Sequence, residues 1–137
     1  MTPEMLARIA AARADRDLSD YARQMVGITA MGAPAAECIR AAREMRLMAT
    51  QIVDLTVLAE RLAGASWQEI TDALGRQDAA AVEDEYADAI TEWQAKSEEE
   101  MKREAAGFSA LDDWYVRHRE DHDPHTSTPV SDLLNRR

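Results

Sequence analysis

The stretch AGASWQEITDALGRQDAAAVEDEY, Ala63 to Tyr86, decides the fold. It encodes two helices joined by a tight turn. Ser66-Trp67-Gln68-Glu69 has the pattern of a capping box, in which the serine side chain meets the amide three residues on and the glutamate reaches back. The short helix it opens, Trp67–Leu74, sets Trp67, Ile70, Thr71 and Leu74 on one face. Gly75 stands where a left-handed residue ends a helix. A further helix is expected from near Asp78, with Val82, Tyr86, Ile90 and Trp93 as its apolar stripe. The same spacing lets it run on through KSEEEMKREA to Gly107, with Met101 and Ala105 continuing the face.

Working upstream, Ala35 to Ala63 contains neither Gly nor Pro. Apolar residues fall at Cys38, Ala41, Met45, Met48, Ile52, Leu55, Ala59 and Leu62, the 3-4 stepping of a heptad stripe. Such a helix is roughly 40 Å long at 1.5 Å per residue. Two readings of the stripe stay open: a core helix packed on several neighbours, or a seam with the same helix of a second copy, centred on Met45, Met48, Ile52 and Leu55. Before it, Thr2-Pro3-Glu4 is a helix start. A break is expected near Asp15–Ser19, with Ser19-Asp20 recapping a second segment that ends at MGAP.

Downstream, Ser109–Asp113 opens a helix anchored by Leu111, Trp114, Tyr115 and Val116. EDHDPHTSTP reads as polar and mobile, and PVSDLLNRR as a last turn able to dock by Val130, Leu133 and Leu134. The chain thus divides into an N-terminal helical segment (1–34), the long helix with the two-helix stretch (35–107), an accessory helix (108–119) and a mostly flexible tail (120–137).

Composition agrees with a wholly helical chain. Ala and Met supply much of the apolar content, aromatics are 5%, and only five Gly and four Pro punctuate 137 residues. The expected class is all-α: a three-helix helix-turn-helix core preceded by a long helix, with accessory helices at both ends. The single cysteine, Cys38, excludes an internal disulfide; it is expected as a buried small hydrophobe in a reducing cytoplasm. No apolar run approaches the ~20 residues that span a bilayer, and the N-terminus lacks the pattern of a signal peptide. The expectation is a soluble cytoplasmic protein with no membrane partner. No phosphate-cradling glycine loop, nucleophile elbow or metal-binding His pair is written in the chain. His118, His122 and His125 lie in a proline-broken polar segment rather than on a scaffold. Neither enzyme activity, nor a metal, nor a cofactor is expected.

The net charge of −10 is uneven. Residues 1–50 carry seven Arg against six acids, residues 51–107 five bases against fourteen acids, and residues 108–137 four against six. Nucleic-acid binders ordinarily present a basic stripe, because phosphate contacts supply much of the affinity. Here the region that would read DNA is the most acidic.

LAERLAGASWQEITDALG resembles the helix-turn-helix of many small actinobacterial DNA-binding proteins and of sigma-factor-like regions. The likeness covers about forty residues, Ile52 to Trp93, with its core at Ala63–Gly75. It implies a three-helix core of Leu62, Trp67, Ile70, Leu74, Val82 and Tyr86 turned at Gly75, with Ala63 and Ala73 permitting close helix approach. It also implies DNA contact from the front of the second helix. Only Arg76 and Gln77 there have base-reading chemistry, with Ala79 and Ala80 able to approach thymine methyls. This chain departs from the pattern at Arg76, where an apolar residue is usual, and at Glu83-Asp84-Glu85, which would face phosphates. The first expectation is a dimeric DNA-binding transcriptional regulator with duplex DNA as partner. The alternative is an interaction module whose acidic helix meets a basic protein or mimics DNA. A packaging or partition subunit resembling a small terminase falls under either.

Overall fold

The computed structural model describes residues 1–136. Seven helices and no strand occur among them: α1 (Pro3–Ala30), α2 (Ala35–Leu62), α3 (Trp67–Ala73), α4 (Ala79–Gln94), α5 (Glu98–Ala105), α6 (Ser109–His118) and α7 (Pro129–Leu134). The all-α expectation is met. None of these helices is long and apolar enough to cross a membrane.

The first two helices form an antiparallel hairpin. Thr2 caps α1, accepting from the Met5 amide at 3.2 Å, and Pro3 occupies the first turn, where its missing N–H costs nothing. The expected break near Asp15–Ser19 does not occur; α1 is one helix of 28 residues. Asp and Ser cost only a few tenths of a kcal/mol in a helix interior, and the small residues Ala7, Ala10 and Ala14 keep α1 closely paired with α2. Met45, Met48, Ile52 and Leu55 are all half-buried. Met48 and Leu55 line a cleft of about 490 Å³ with Leu6, Ala10, Ala14 and Trp93, so it is α1 that meets this part of the stripe. Cys38 is half-buried rather than buried, close to the hairpin turn, where its thiol donates to the Ala33 carbonyl at 3.4 Å.

Apolar side chains gather in three clusters. Val57, Ile70, Val82 and Tyr86 join α2, α3 and α4. Ala7, Leu58 and Ala59, with Ile90 and Trp93 against them, join the hairpin to α4. Leu6, Ile9, Met101, Ala105, Leu111, Val130 and Leu133 hold α5, α6 and α7 on the other side of α1.

One further expectation is corrected. The helix from Asp78 does not continue to Gly107: it ends at Gln94, and Ser97 caps a new helix by accepting from the Glu100 amide at 3.2 Å. Glu98, Glu99 and Glu100 in the first turn of α5 suit its N-terminal dipole, and the break lets Met101 and Ala105 turn onto α1. In the tail, Val130 and Leu133 dock as the sequence allowed, and Arg137 lies outside the described residues. Asp112 of α6, itself buried, accepts from the Val130 amide at 2.7 Å, the Ser131 amide at 3.2 Å and the Ser131 hydroxyl. It thereby caps α7 from a distant helix, since Thr128 makes no side-chain cap. The Tyr115 hydroxyl donates to the Pro124 carbonyl at 2.6 Å, and Arg119 donates to the Thr126 carbonyl at 2.8 Å.

Candidate functional site

The site foreseen in the sequence is the α2–α3–α4 unit, and its local geometry follows from the residues quoted first. Gly64, at φ +108°, closes α2. Ser66 Oγ accepts from the Glu69 amide at 3.1 Å and Glu69 reaches back to the Ser66 amide at 3.4 Å, completing the capping box. Gly75, at φ +70°, ends α3: its amide donates to Asp72 and that of Arg76 to Thr71, both at 3.0 Å. This is the six-to-one and five-to-two pairing of a Schellman ending, which needs a left-handed residue at its centre. Asp78 caps α4 through the Ala81 amide at 3.1 Å.

The core beneath is close to expectation. Ile70, Val82 and Tyr86 are buried, with Trp67 and Leu74 packed against them. The Trp67 and Tyr86 rings stack with centroids 6.5 Å apart, and Arg61 lies 4.9 Å over Trp67. The buried Thr71 hydroxyl donates to the Trp67 carbonyl at 2.6 Å. Leu62 is the exception: it packs in the neighbouring cluster under α1, and Val57, one turn earlier, supplies the side chain from α2. Ala63 and Ala73, expected to permit close helix approach, are both exposed.

The expected DNA contacts lie together at the turn and the first turn of α4. Gln77 and Ala80 are exposed, while Ala79 is half-buried. Arg76 is not free: its guanidinium pairs with Glu85 two turns along α4. That hydrogen bond first, and the attraction of Glu85 after it, raise the Arg76 pKa above its ordinary value. The outer face of α4 presents Glu83, Asp84, Ala87, Asp88 and Thr91, all exposed. From Trp67 to Gln94 there is one Arg against eight acids. The Tyr86 hydroxyl donates to Asp54 of α2 at 2.7 Å, and burial, then this bond, pushes the phenol up from its ordinary value near 10.

Two pairings escaped sequence reasoning. Arg76–Glu85 and Asp54–Tyr86 lie 9 and 32 residues apart, separations that no single-helix spacing rule covers. The helical wheel of α4 could have shown Glu85 beside Tyr86 at the edge of the buried stripe.

The three histidines are not brought together. His118 stacks on Trp114 at 4.6 Å and contacts the Trp114 carbonyl through Nδ1, while His122 lies 4.0 Å from Glu120 and Asp123. Among the described residues no group of three or more His, Cys, Asp or Glu is placed to hold a metal ion.

No family model matches this chain, and neither do any curated protein or solved structure with which it was compared.

Proposed function

We propose that the chain is a protein-interaction module built on a helix-turn-helix scaffold, with the acidic face of α4 as the contact surface for a basic partner. The observation that carries this reading is electrostatic. Glu83, Asp84 and Asp88 stand exposed on α4, and Arg76, the one Arg or Lys between Trp67 and Gln94, is occupied by Glu85. A surface of that sign repels phosphate and steers a cationic partner towards itself.

A second reading, a dimeric DNA-binding regulator, is favoured by the three-helix packing of Val57, Ile70, Val82 and Tyr86. In that reading Arg76, Gln77, Ala79 and Ala80 approach the groove, and Arg76 must exchange Glu85 for DNA.

One titration separates the two. Fluorescence anisotropy is followed for a labelled Lys/Arg-rich peptide and for a labelled random-sequence duplex, from about 50 to 200 mM salt, where phosphate-driven affinity falls steeply. The interaction reading expects peptide binding that is lost in the triple variant Glu83→Gln, Asp84→Asn, Asp88→Asn, and no duplex binding. Duplex binding that falls with salt and is weakened by Arg76→Ala would overturn it in favour of the regulator.

A further inference from the structure

The far half of the α1–α2 hairpin is a two-helix arm. Between Tyr21 and Leu47 the only buried residue is Ala41. Val26 is 71% exposed, Met31 87%, and Ile39 and Leu47 62% each. Tyr21, Met25, Ile28 and Met45 are half-buried although they are large and apolar. Two helices side by side can shield only the line where they touch, so an arm of this composition is an incomplete core.

The hairpin has two broad sides. One carries the cleft with Trp93, Lys96 and Glu104, and is partly covered by α4 and α5. The other is exposed along the arm, and towards its base Val53 and Thr56 of α2 share a groove with Ile70, Ala73 and Leu74 of α3. This side begins at a shallow groove where Ala11, Ala12 and Asp15 of α1 meet Thr56 and Ala59 of α2. From there Ala11, Asp15, Ala22 and Val26 run up α1 at helical spacing. On α2 a second stripe, Ile39, Ala42, Arg46, Ala49 and Val53, follows 3-4-3-4 steps beside the one facing α1. All five are exposed.

We propose that this open side of the hairpin is where a second copy of the chain docks, face to face, completing a four-helix bundle. Charge selects the occupant. Residues 20–50 hold four Arg against three acids, whereas the rest of the chain sums to −11. Two copies of so acidic a protein repel each other over most surfaces, and the arm is where they do not. Besides Arg8, which lines the groove and is taken up by Glu4 and Glu60, the open side carries one carboxylate, Asp15, and one further guanidinium, Arg46, neither of which makes an ion pair among the described residues. A twofold pairing that lays α1 of each copy on α2 of the other brings the two into reach, twice. Desolvation already raises the Asp15 pKa, the condition in which an approaching guanidinium is most welcome. Area agrees as well. Arg8 to Ala30 spans roughly 33 Å and two helices abreast roughly 20 Å, or about 650 Å² per copy. Two copies bury about 1,300 Å², at the lower end of stable specific interfaces. The heptad stepping favours the shallow ~20° crossing of such bundles, and the alanines allow close approach.

The test is sedimentation equilibrium of the full chain from about 1 to 200 μM. The expected result is a monomer–dimer equilibrium. It is weakened at least tenfold by Ala42→Glu and by Ala49→Glu, exposed helical positions whose folding is checked by circular dichroism. Leu47→Glu, off this face, leaves it unchanged. Asp15→Arg and Arg46→Asp each weaken the dimer, and the double variant recovers it. A monomer throughout the range overturns the proposal. So does a dimer indifferent to Ala42→Glu and Ala49→Glu, which would place the contact elsewhere.

Discussion

Replacing Asp112 by Ala should free the C-terminal helix. An isolated helix of six residues has no stability in water, so α7 is present only because it is docked. Ordering six residues costs about 9 kcal/mol at about 1.5 each. Burying Val130 and Leu133, 6% and 8% exposed, returns about 5 kcal/mol. The deficit is offset by three hydrogen bonds to one carboxylate, worth about 2 kcal/mol each because the acceptor is charged. The balance favours docking by only about 2 kcal/mol, and without the carboxylate it reverses. The measured loss of global stability is therefore capped near about 2–3 kcal/mol, since α7 can leave rather than sit with unsatisfied amides. Hydrogen exchange across residues 129–136, together with urea unfolding, reads both halves of the argument. In Asp112→Ala the amides of Val130 to Leu134 should exchange at rates near those of an unstructured chain. Asp112→Asn keeps an acceptor but loses the charge, and should fall between. If those amides stay as slow as in the wild type, the carboxylate is not what holds α7 and the reasoning is refuted.

Gly75→Ala should destabilise the chain by about 1–2 kcal/mol, the cost of a left-handed L-residue, because a Cβ there meets no atom within 4 Å. A thermal melt indistinguishable from wild type would mean the α3–α4 turn relaxes freely. Tyr86 links stability to alkaline pH. Its folded pKa is raised, so its contribution is complete below the ordinary phenol value near 10 and is lost as pH climbs above it. Urea midpoints of the wild type should fall from pH 9 to 11 more steeply than those of Tyr86→Phe, which at pH 7 costs about 1 kcal/mol for the bond to exposed Asp54. Parallel curves would sever that link.

Signals confined to about seven residues were legible without coordinates. The capping box at Ser66, the glycine ending at Gly75, the helix start near Asp78 and the apolar spacing Ile70–Leu74 and Val82–Tyr86 all depend on residues three to five apart. They are found where the sequence places them. The same local rules overreached at Asp15–Ser19, where acids and a serine looked like a break, and at Ala95–Ser97, where an unbroken apolar spacing hid one. In both places packing on the facing helix outweighed tenths of a kcal/mol of propensity.

The candidate site divides along the same line. That α4 is acidic is plain in Glu83-Asp84-Glu85. That Arg76 is held by Glu85, that Val57 rather than Leu62 supports the α3–α4 pair, and that Asp112 caps a helix 17 residues on are consequences of tertiary approach. Periodicity states which face of α2 is apolar but not what lies against it, because a stripe stepped 3-4 is satisfied equally by a neighbour in the same chain or by another chain. The sequence by itself therefore determined the all-α class, the capping box and glycine ending of α3 and the sign of the α4 surface, all set by short-range bonding and charge. Only the tertiary structure decided that α1 takes the inner stripe of α2 and leaves the outer one bare, because that depends on how the hairpin turn at Met31–Pro34 folds one helix back along the other.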